Sequence, residues 1–207
     1  MALVKNPHRP SRDDTGRREL RDYNGLINEL IAADPTVRRW AARDLGVYAE
    51  AADDLLALIK VETDRSVREV ALSSLTCIGT ETAVAGLVGC LRSDAADLRN
   101  EASEAMKSLP QAVAPIMRAL LHDPDPDVRI LAINILESLC HPEVESWLLA
   151  VIDTEPVLNV CGTAVDLLSE VGTAAAREPL RRLRERFADE PYIQFATQLA
   201  LKRLESA

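Results

Sequence analysis

Hydrophobic residues recur at helical spacing along the 207-residue chain, and the helical stretches themselves recur. Leu26 and Ile27 stand with Leu30 and Ile31, Leu55 and Leu56 with Leu58 and Ile59, and Leu87 and Val88 with Leu91. The same i, i+3, i+4 stripe returns in Ile116 and Met117 with Leu120 and Leu121, and in Trp147 and Leu148 with Val151 and Ile152. Leu180, Leu183 and Phe187 form a sixth stripe, and a last helix carries Ile193, Phe195, Leu199 and Leu201. That period lays one face of a helix against a core.

A second stripe follows each first one and opens on a shared signature. Asp34-Pro-Thr-Val37-Arg38 recurs as Asp64-Arg-Ser-Val67-Arg68, as Asp94 to Leu98-Arg99, and as Asp125-Pro-Asp-Val128-Arg129. The Val/Leu–Arg pairs are 30, 31 and 30 residues apart. A degraded fifth copy lies near Val157-Leu158 without the arginine, and a longer step leads to Ile193-Gln194. Each aspartate can cap the free N–H groups of a first helical turn, and Pro35 and Pro126 sit where a missing N–H costs nothing. Asp97 and Asp127 favour the positive end of the helix dipole. Apolar positions follow in register, as in Val67, Val70, Ala71, Leu75 and Ile78, or Val128, Leu131, Ala132, Ile135, Leu136 and Leu139. Gly46, Gly79 and Gly172 stand where a left-handed residue would end a helix. The pattern predicts six helical hairpins of roughly 30 residues after residue 19, which must stack because none can bury its stripe alone.

These residues resemble the HEAT-repeat family, in the short form typical of prokaryotic phycobilin-lyase-type repeats. The resemblance rests on D-P-x-V-R at Asp34–Arg38 and Asp125–Arg129, on Ala41, Ala71, Ala102 and Ala132 four residues after the Val/Leu, and on Gly79-Thr80 and Gly172-Thr173. It covers roughly residues 20 to 204, and the terminal hairpins depart from the pattern as end caps do. It implies an all-α, right-handed α-solenoid of about six hairpins over residues 20–207, some ~50–60 Å long with helices ~8–10 Å apart. Residues 1–19 read as a flexible basic tail. The tetratricopeptide and ankyrin signatures are absent. The family implies a non-catalytic protein–protein interaction module, an adaptor or regulator that binds a protein or peptide on its concave face in a bacterial signalling or assembly complex.

Composition narrows the alternatives. Aromatic residues make up 3% of the chain and glycines number eight, which fits poorly with a β-sandwich or barrel. No apolar run approaches the ~20 residues of a membrane helix, and the start Met-Ala-Leu-Val-Lys lacks the apolar stretch of a secretory signal. Four widely spaced cysteines suit reduced thiols in a cytoplasm, with Cys90, Cys140 and Cys161 read as small core residues. The net charge of -9 is unevenly shared: residues 1–18 hold five cations against two carboxylates, which leaves -12 on the helical body. Such a body repels nucleic acid and suits a partner with basic patches.

Candidate chemistry is sparse. His8, His122 and His141 are scattered, and no Gly-rich phosphate loop, G-x-S-x-G or H-E-x-x-H is present. No His-Glu dipeptide occurs, which argues against the iron-binding pattern of deoxyhypusine hydroxylase, a HEAT-like enzyme. No catalytic, cofactor or metal residue is expected. The resemblance leaves a phycobilin-lyase-like subunit, or a chaperone of a chromophore protein, as the alternative by fold analogy. A nucleic-acid-binding HEAT-like protein ranks below it on charge.

Three sets of residues are candidates for function or for its support. The ladder Arg38, Arg68, Arg99 and Arg129 could form a stacked anion-binding stripe, but the resemblance implies that each arginine bonds an aspartate of the repeat turn, Asp34, Asp64, Asp94 or Asp125, and ties repeats together. With the Val/Leu as zero, positions +2, +5, +6 and +9 of the second helices are expected to face away from the core. They read Arg39, Ala42, Arg43, Gly46; Glu69, Leu72, Ser73, Thr76; Asn100, Ser103, Glu104, Lys107; and Ile130, Ile133, Asn134, Glu137. The partner-binding candidates are Arg39, Arg43, Glu69, Leu72, Asn100, Glu104, Ile130, Ile133, Asn134 and Glu137; Ile130 and Ile133 read equally as contacts with a long side chain or a fifth repeat and as apolar anchors for a partner. Arg177, Arg181 and Arg184, near Arg182 and Arg186, form a solvated face or one for an acidic partner.

Overall fold

A computed structural model describes residues 22–206; the expected tail and His8 lie outside the described residues. The described chain is a succession of helices: α1 (Tyr23–Glu29), α2 (Pro35–Leu45), α3 (Ala52–Val61), α4 (Arg65–Ile78), α5 (Glu81–Cys90), α6 (Ala96–Lys107), α7 (Pro110–Leu120), α8 (Pro126–Leu136), α9 (Val144–Thr154), α10 (Leu158–Val171), α11 (Arg177–Arg186) and α12 (Pro191–Ser206). They pair into six hairpins that stack as an α-solenoid. Each second helix packs on the second helices before and after it, from α2 through α12. Second helices carry most of the contact between successive hairpins, and theirs is the layer expected to line the concave side of such a stack.

Small residues permit that close approach. Ala41, Ala71, Ala102, Ala132 and Ala164 occupy the same position in hairpins one to five, and Thr197 in the sixth; all are fully buried. Thr197 satisfies its hydroxyl by donating to the Ile193 carbonyl at 2.6 Å. Aspartate caps open three second helices: Asp34 accepts from the Thr36 N–H, Asp64 from Ser66 and Val67, and Asp125 from Asp127.

Local expectations need several corrections. The cap of α6 is Ala95 rather than Asp94, with Ser93 Oγ accepting from the Ala95 N–H at 3.2 Å. The fifth copy opens at Val157, so its equivalent pair is Val160-Cys161, three residues beyond Val157-Leu158. Of the three helix-ending glycines only Gly79 is left-handed, at φ 58°; Gly46 is helical and Gly172 extended. Ile31, Phe195 and Leu199 leave the core stripe for solvent, in the first and last of the described hairpins. Cys140 is exposed rather than buried.

The arginine ladder ties hairpins together, but not through the capping aspartates. Arg38 donates Nη1 to the carbonyls of Ala32 and Ala33 at 2.8 and 3.1 Å, just ahead of its own helix. Its Nε and Nη2 grip both carboxylate oxygens of Glu62, in the turn of the next hairpin, at 2.7 and 2.8 Å. Glu62 Oε1 also accepts from the N–H groups of Thr63 and Asp64, so one carboxylate orders the turn and fastens the neighbour. Arg129 repeats the arrangement with the Asp123 and Pro124 carbonyls and with Glu155, at 2.7 and 2.8 Å to the carboxylate. The capping carboxylates are already committed to their own helix N–H groups, whereas the arginine reaches across to the next hairpin.

Where the next turn lacks a glutamate, the contact is rebuilt. Ser93 stands at that position in hairpin three, and Arg68 turns to Glu101 on α6 at 2.7 and 3.1 Å. Hairpin four offers the shorter Asp123, which pairs with Arg92; Arg99 keeps its carbonyls but reaches only Asp127, at 3.9 Å. Cys161 replaces the arginine in hairpin five, its thiol donating to the Glu155 carbonyl at 3.3 Å. Arg186 of α11 supplies the missing guanidinium from outside, on the Asp153 and Glu155 carbonyls at 2.7 and 2.8 Å. In the last hairpin Gln194 donates to the Arg184 and Phe187 carbonyls.

The side chains of Glu62 and Glu155 are 2% and 6% exposed, so losing a partner arginine strands a buried charge. We expect Arg129→Ala to cost about 3–5 kcal/mol, and to lower Tm by about 2–4 °C for each of these in a chain this size. Arg65→Ala removes a pair whose arginine is 71% exposed and should cost about 1 kcal/mol or less. Thermal melts of the two variants check the ranking. The Arg38 hydrogen bond holds the Glu62 carboxyl below the usual carboxylate range, against the opposing effect of burial. Its stabilisation is therefore present above the unfolded value of about 4.3 and is lost as pH falls through the folded one. Urea titrations in acid should show this loss in the parent and a shallower one in Arg38→Ala.

Candidate functional site

The concave surface is set by which faces of the second helices their neighbours leave open. Arg43, Glu69, Asn100, Glu104 and Glu137 are exposed there, with Arg39 and Asn134 half-buried. Position +5 is covered instead: Ala42, Leu72, Ser103 and Ile133 are 0%, 3%, 3% and 1% exposed. The adjoining second helix lies against that side, so the 100° geometry of an isolated helix misplaces it. Ile133 is thus not a free anchor, and Ile130 is half-buried against the core. Of the two readings of these aliphatics, their burial fits packing against the neighbouring repeat.

The corrected register extends the row. Gly162, Val165, Asp166 and Ser169 are its fifth members, and Phe195, Gln198, Leu199 and Lys202 its sixth. The pairing of Val160 with Ala164 copies Val128 with Ala132 and was the signal for this register. Apolar exposure on the concave row therefore sits at its C-terminal end, where Phe195 is 67% and Leu199 42% exposed. Sequence reasoning missed that site.

The candidates fall into three places. Glu69, Leu72, Asn100 and Glu104 line a cavity of about 400 Å³ between α4 and α6, with Arg65, Ser73, Glu101 and Ala105. Ile133, Asn134 and Glu137 line one of about 210 Å³ between α8 and α10, with Asp166, Leu167 and Glu170. Arg39 and Arg43 stand apart at the N-terminal end, their guanidinium carbons 5.6 and 5.2 Å from the Trp40 ring centre, in reach of a cation–π contact. Ile130 lines neither cavity. Between the cavities, Lys107 places its ammonium 2.9 Å from Glu104 and 3.5 Å from Glu137. Burial pulls the Lys107 pKa down, but the two glutamates overcome it and leave it raised.

The two described histidines stand in separate turns. His122 Nδ1 lies 2.8 Å from the Arg118 carbonyl, and the His141 ring stacks on Trp147 at 4.9 Å. Among the described residues no three His, Cys, Asp or Glu side chains are placed to hold a metal ion, and no helix is long and apolar enough to cross a membrane. The arginines of α11 are mostly engaged within the protein. Arg182 pairs with Asp153, Arg181 with Glu178, Arg186 holds the fifth turn, and Arg177 donates to the Leu204 carbonyl.

A family model described as HEAT repeats matches residues 23–107 and 113–202. No curated protein matches the chain by sequence. Among solved structures, an archaeal HEAT-like repeats protein from Thermococcus onnurineus is similar with a TM-score of 0.45 and 16% identity, over 89% of this chain and 88% of that one. The complex of CpcE and CpcF of phycocyanin lyase from Nostoc is similar with a TM-score of 0.38 and 19% identity, over 99% and 100%. A designed armadillo repeat protein in complex with the peptide (KR)4 gives 0.43 and 18%, over 86% and 98%.

Tyr192 closes the fifth and sixth hairpins over this face. Its hydroxyl donates to Asp166 at 3.1 Å, and its ring lies where a Cβ on Gly162 would come within 2.4 Å of it. Burial, followed by the Asp166 charge, pushes the Tyr192 phenol up. Gly162→Ala should displace the ring at a cost of about 1–3 kcal/mol. Spectroscopic titration should then find this phenol moved back toward the ordinary value of about 10.

Proposed function

The chain belongs to the HEAT-repeat family, and from that premise we propose that it is a non-catalytic adaptor or regulator that holds a partner protein or peptide on its concave face. The observation that carries this reading is the row of exposed side chains on consecutive second helices, with cavities set between them. The stacked core holds these groups at fixed spacing, so a partner need not order the scaffold in order to bind. The net charge of -12 outside residues 1–18, and the carboxylates of Glu69, Glu104, Glu137, Asp166 and Glu170 along the row, suit a partner with basic patches and disfavour nucleic acid. A cytoplasmic place in a bacterial signalling or assembly complex fits this chemistry.

Affinity capture from native lysate, with crosslinking and mass spectrometry, tests the reading. Crosslinks should map to α4, α6, α8 and α10, and the double substitution Glu104→Lys, Glu137→Lys should abolish capture without lowering helicity. Capture should also weaken as salt shortens the screening length from ~10 Å at ~0.1 M to ~3 Å at ~1 M. Crosslinks confined to the first helices, with capture indifferent to both changes, would sink the concave-face assignment.

A further inference from the structure

The concave row contains an occupant of its own, and it specifies what the neighbouring cavities suit. Lys107 lies in the furrow between α6 and α8 with its side chain only 18% exposed and its ammonium between Glu104 and Glu137. Its aliphatic stem is covered by the groove and its charge is met by carboxylates on two successive hairpins. We propose that the cavity between α8 and α10 receives one lysine or arginine side chain of an extended partner segment, and that the cavity between α4 and α6 receives a second from the same segment. The inference rests on the concave-face reading above and names its partner's chemistry.

The α8–α10 cavity has the two parts that a long basic side chain requires. Its floor is apolar, made by buried Ile133 and Leu167, and can cover a methylene stem. Its rim carries three carboxylates, Glu137, Asp166 and Glu170. Glu170 is exposed and makes no ion pair among the described residues. Asp166 accepts from the uncharged Tyr192 hydroxyl, and the cation at Glu137 is Lys107, which does not line this cavity, at 3.5 Å. These side chains are too dispersed to chelate a metal ion. That spread suits a guanidinium or ammonium arriving on a flexible stem. The α4–α6 cavity repeats the design with Leu72 and Ala105 below and Glu69, Glu101 and Glu104 above. Its carboxylates are already met from within the protein, Glu69 by Arg65, Glu101 by Arg65 and Arg68, and Glu104 by Lys107, so this is the weaker of the two.

Spacing makes the inference specific. The cavities lie two helix-to-helix steps apart, about 16–20 Å at the usual ~8–10 Å between packed helices. An extended chain covers about 3.3 Å per residue, hence about five or six residues. Side chains alternate in direction along an extended segment, so only an even separation turns both toward the groove. Basic residues at i and i+6 meet both conditions.

The test uses the full chain and fluorescein-labelled Gly/Ser peptides bearing two arginines at i and i+6, two at i and i+3, or two glutamates at i and i+6. Anisotropy gives affinity, and amide chemical shifts give location. The i, i+6 arginine peptide should bind tightest, with shifts at Asn134, Glu137, Thr163 and Glu170. Glu170→Arg should weaken it by about 10-fold or more while leaving the melt unchanged, since no structural contact is lost; Glu170→Gln should weaken it less. Equal binding of the glutamate peptide, equal binding at both spacings, shifts elsewhere or no binding would each overturn the inference. If these peptides fail but capture of the native partner still depends on Glu104 and Glu137, only the side-chain assignment falls. If that dependence is absent as well, the concave-face reading falls with it.

Discussion

The structure hangs on a guanidinium that belongs to one hairpin and a carboxylate that belongs to the next. Helical hairpins of this size have no closed core, and apolar stacking alone allows neighbours to slide or rotate. A bidentate Arg–Glu pair is directional, and when buried it is satisfied in one arrangement only. Arg38 with Glu62 and Arg129 with Glu155 therefore fix the relative placement of hairpins. The same carboxylates accept N–H groups of their own turns, so turn geometry and stacking geometry are set by one group. The concave row inherits its regular spacing from this.

Much of this architecture was legible in the residues. Asp-Pro with Val-Arg three and four residues after the aspartate is a helix start whose cap, first turn and buried aliphatic all agree, and the recurring alanine marks where second helices touch. The partner of the arginine was not legible. Glu62, Glu101 and Glu155 occupy two different positions relative to their helix starts, so no single spacing from the arginine reveals them. The fifth copy escaped registration because Cys161 carries neither charge nor length, while the contact it replaces is made by Arg186 from another helix. Sequence periodicity records what a helix places on each face. It does not record a substitute arriving from elsewhere.

The candidate surface shows the same division. The exposure of Arg43, Glu69, Asn100, Glu104 and Glu137 follows from helix geometry, but the burial of Ile133 depends on the flanking second helix, which a single-helix projection omits. What seemed an apolar anchor is the floor of a cavity with acidic walls. That shifts the expected chemistry of the middle of the groove from apolar contact to recognition of long cationic side chains, and moves solvent-facing apolar groups to Phe195 and Leu199.

Every tie described between hairpins by the ladder runs the same way along the chain. Arg38, Arg68, Arg99 and Arg129 each reach an acid in the hairpin that follows, and the fifth turn waits for Arg186 from the sixth. On the ribosome a hairpin is thus made before the group that fastens it. At ~5–20 residues per second, the ~30 residues of the next unit take seconds to emerge. For that interval the newest hairpin is tethered to its predecessor while its own arginine is still hydrated, so assembly proceeds as a zipper whose free end is always the most recently translated unit.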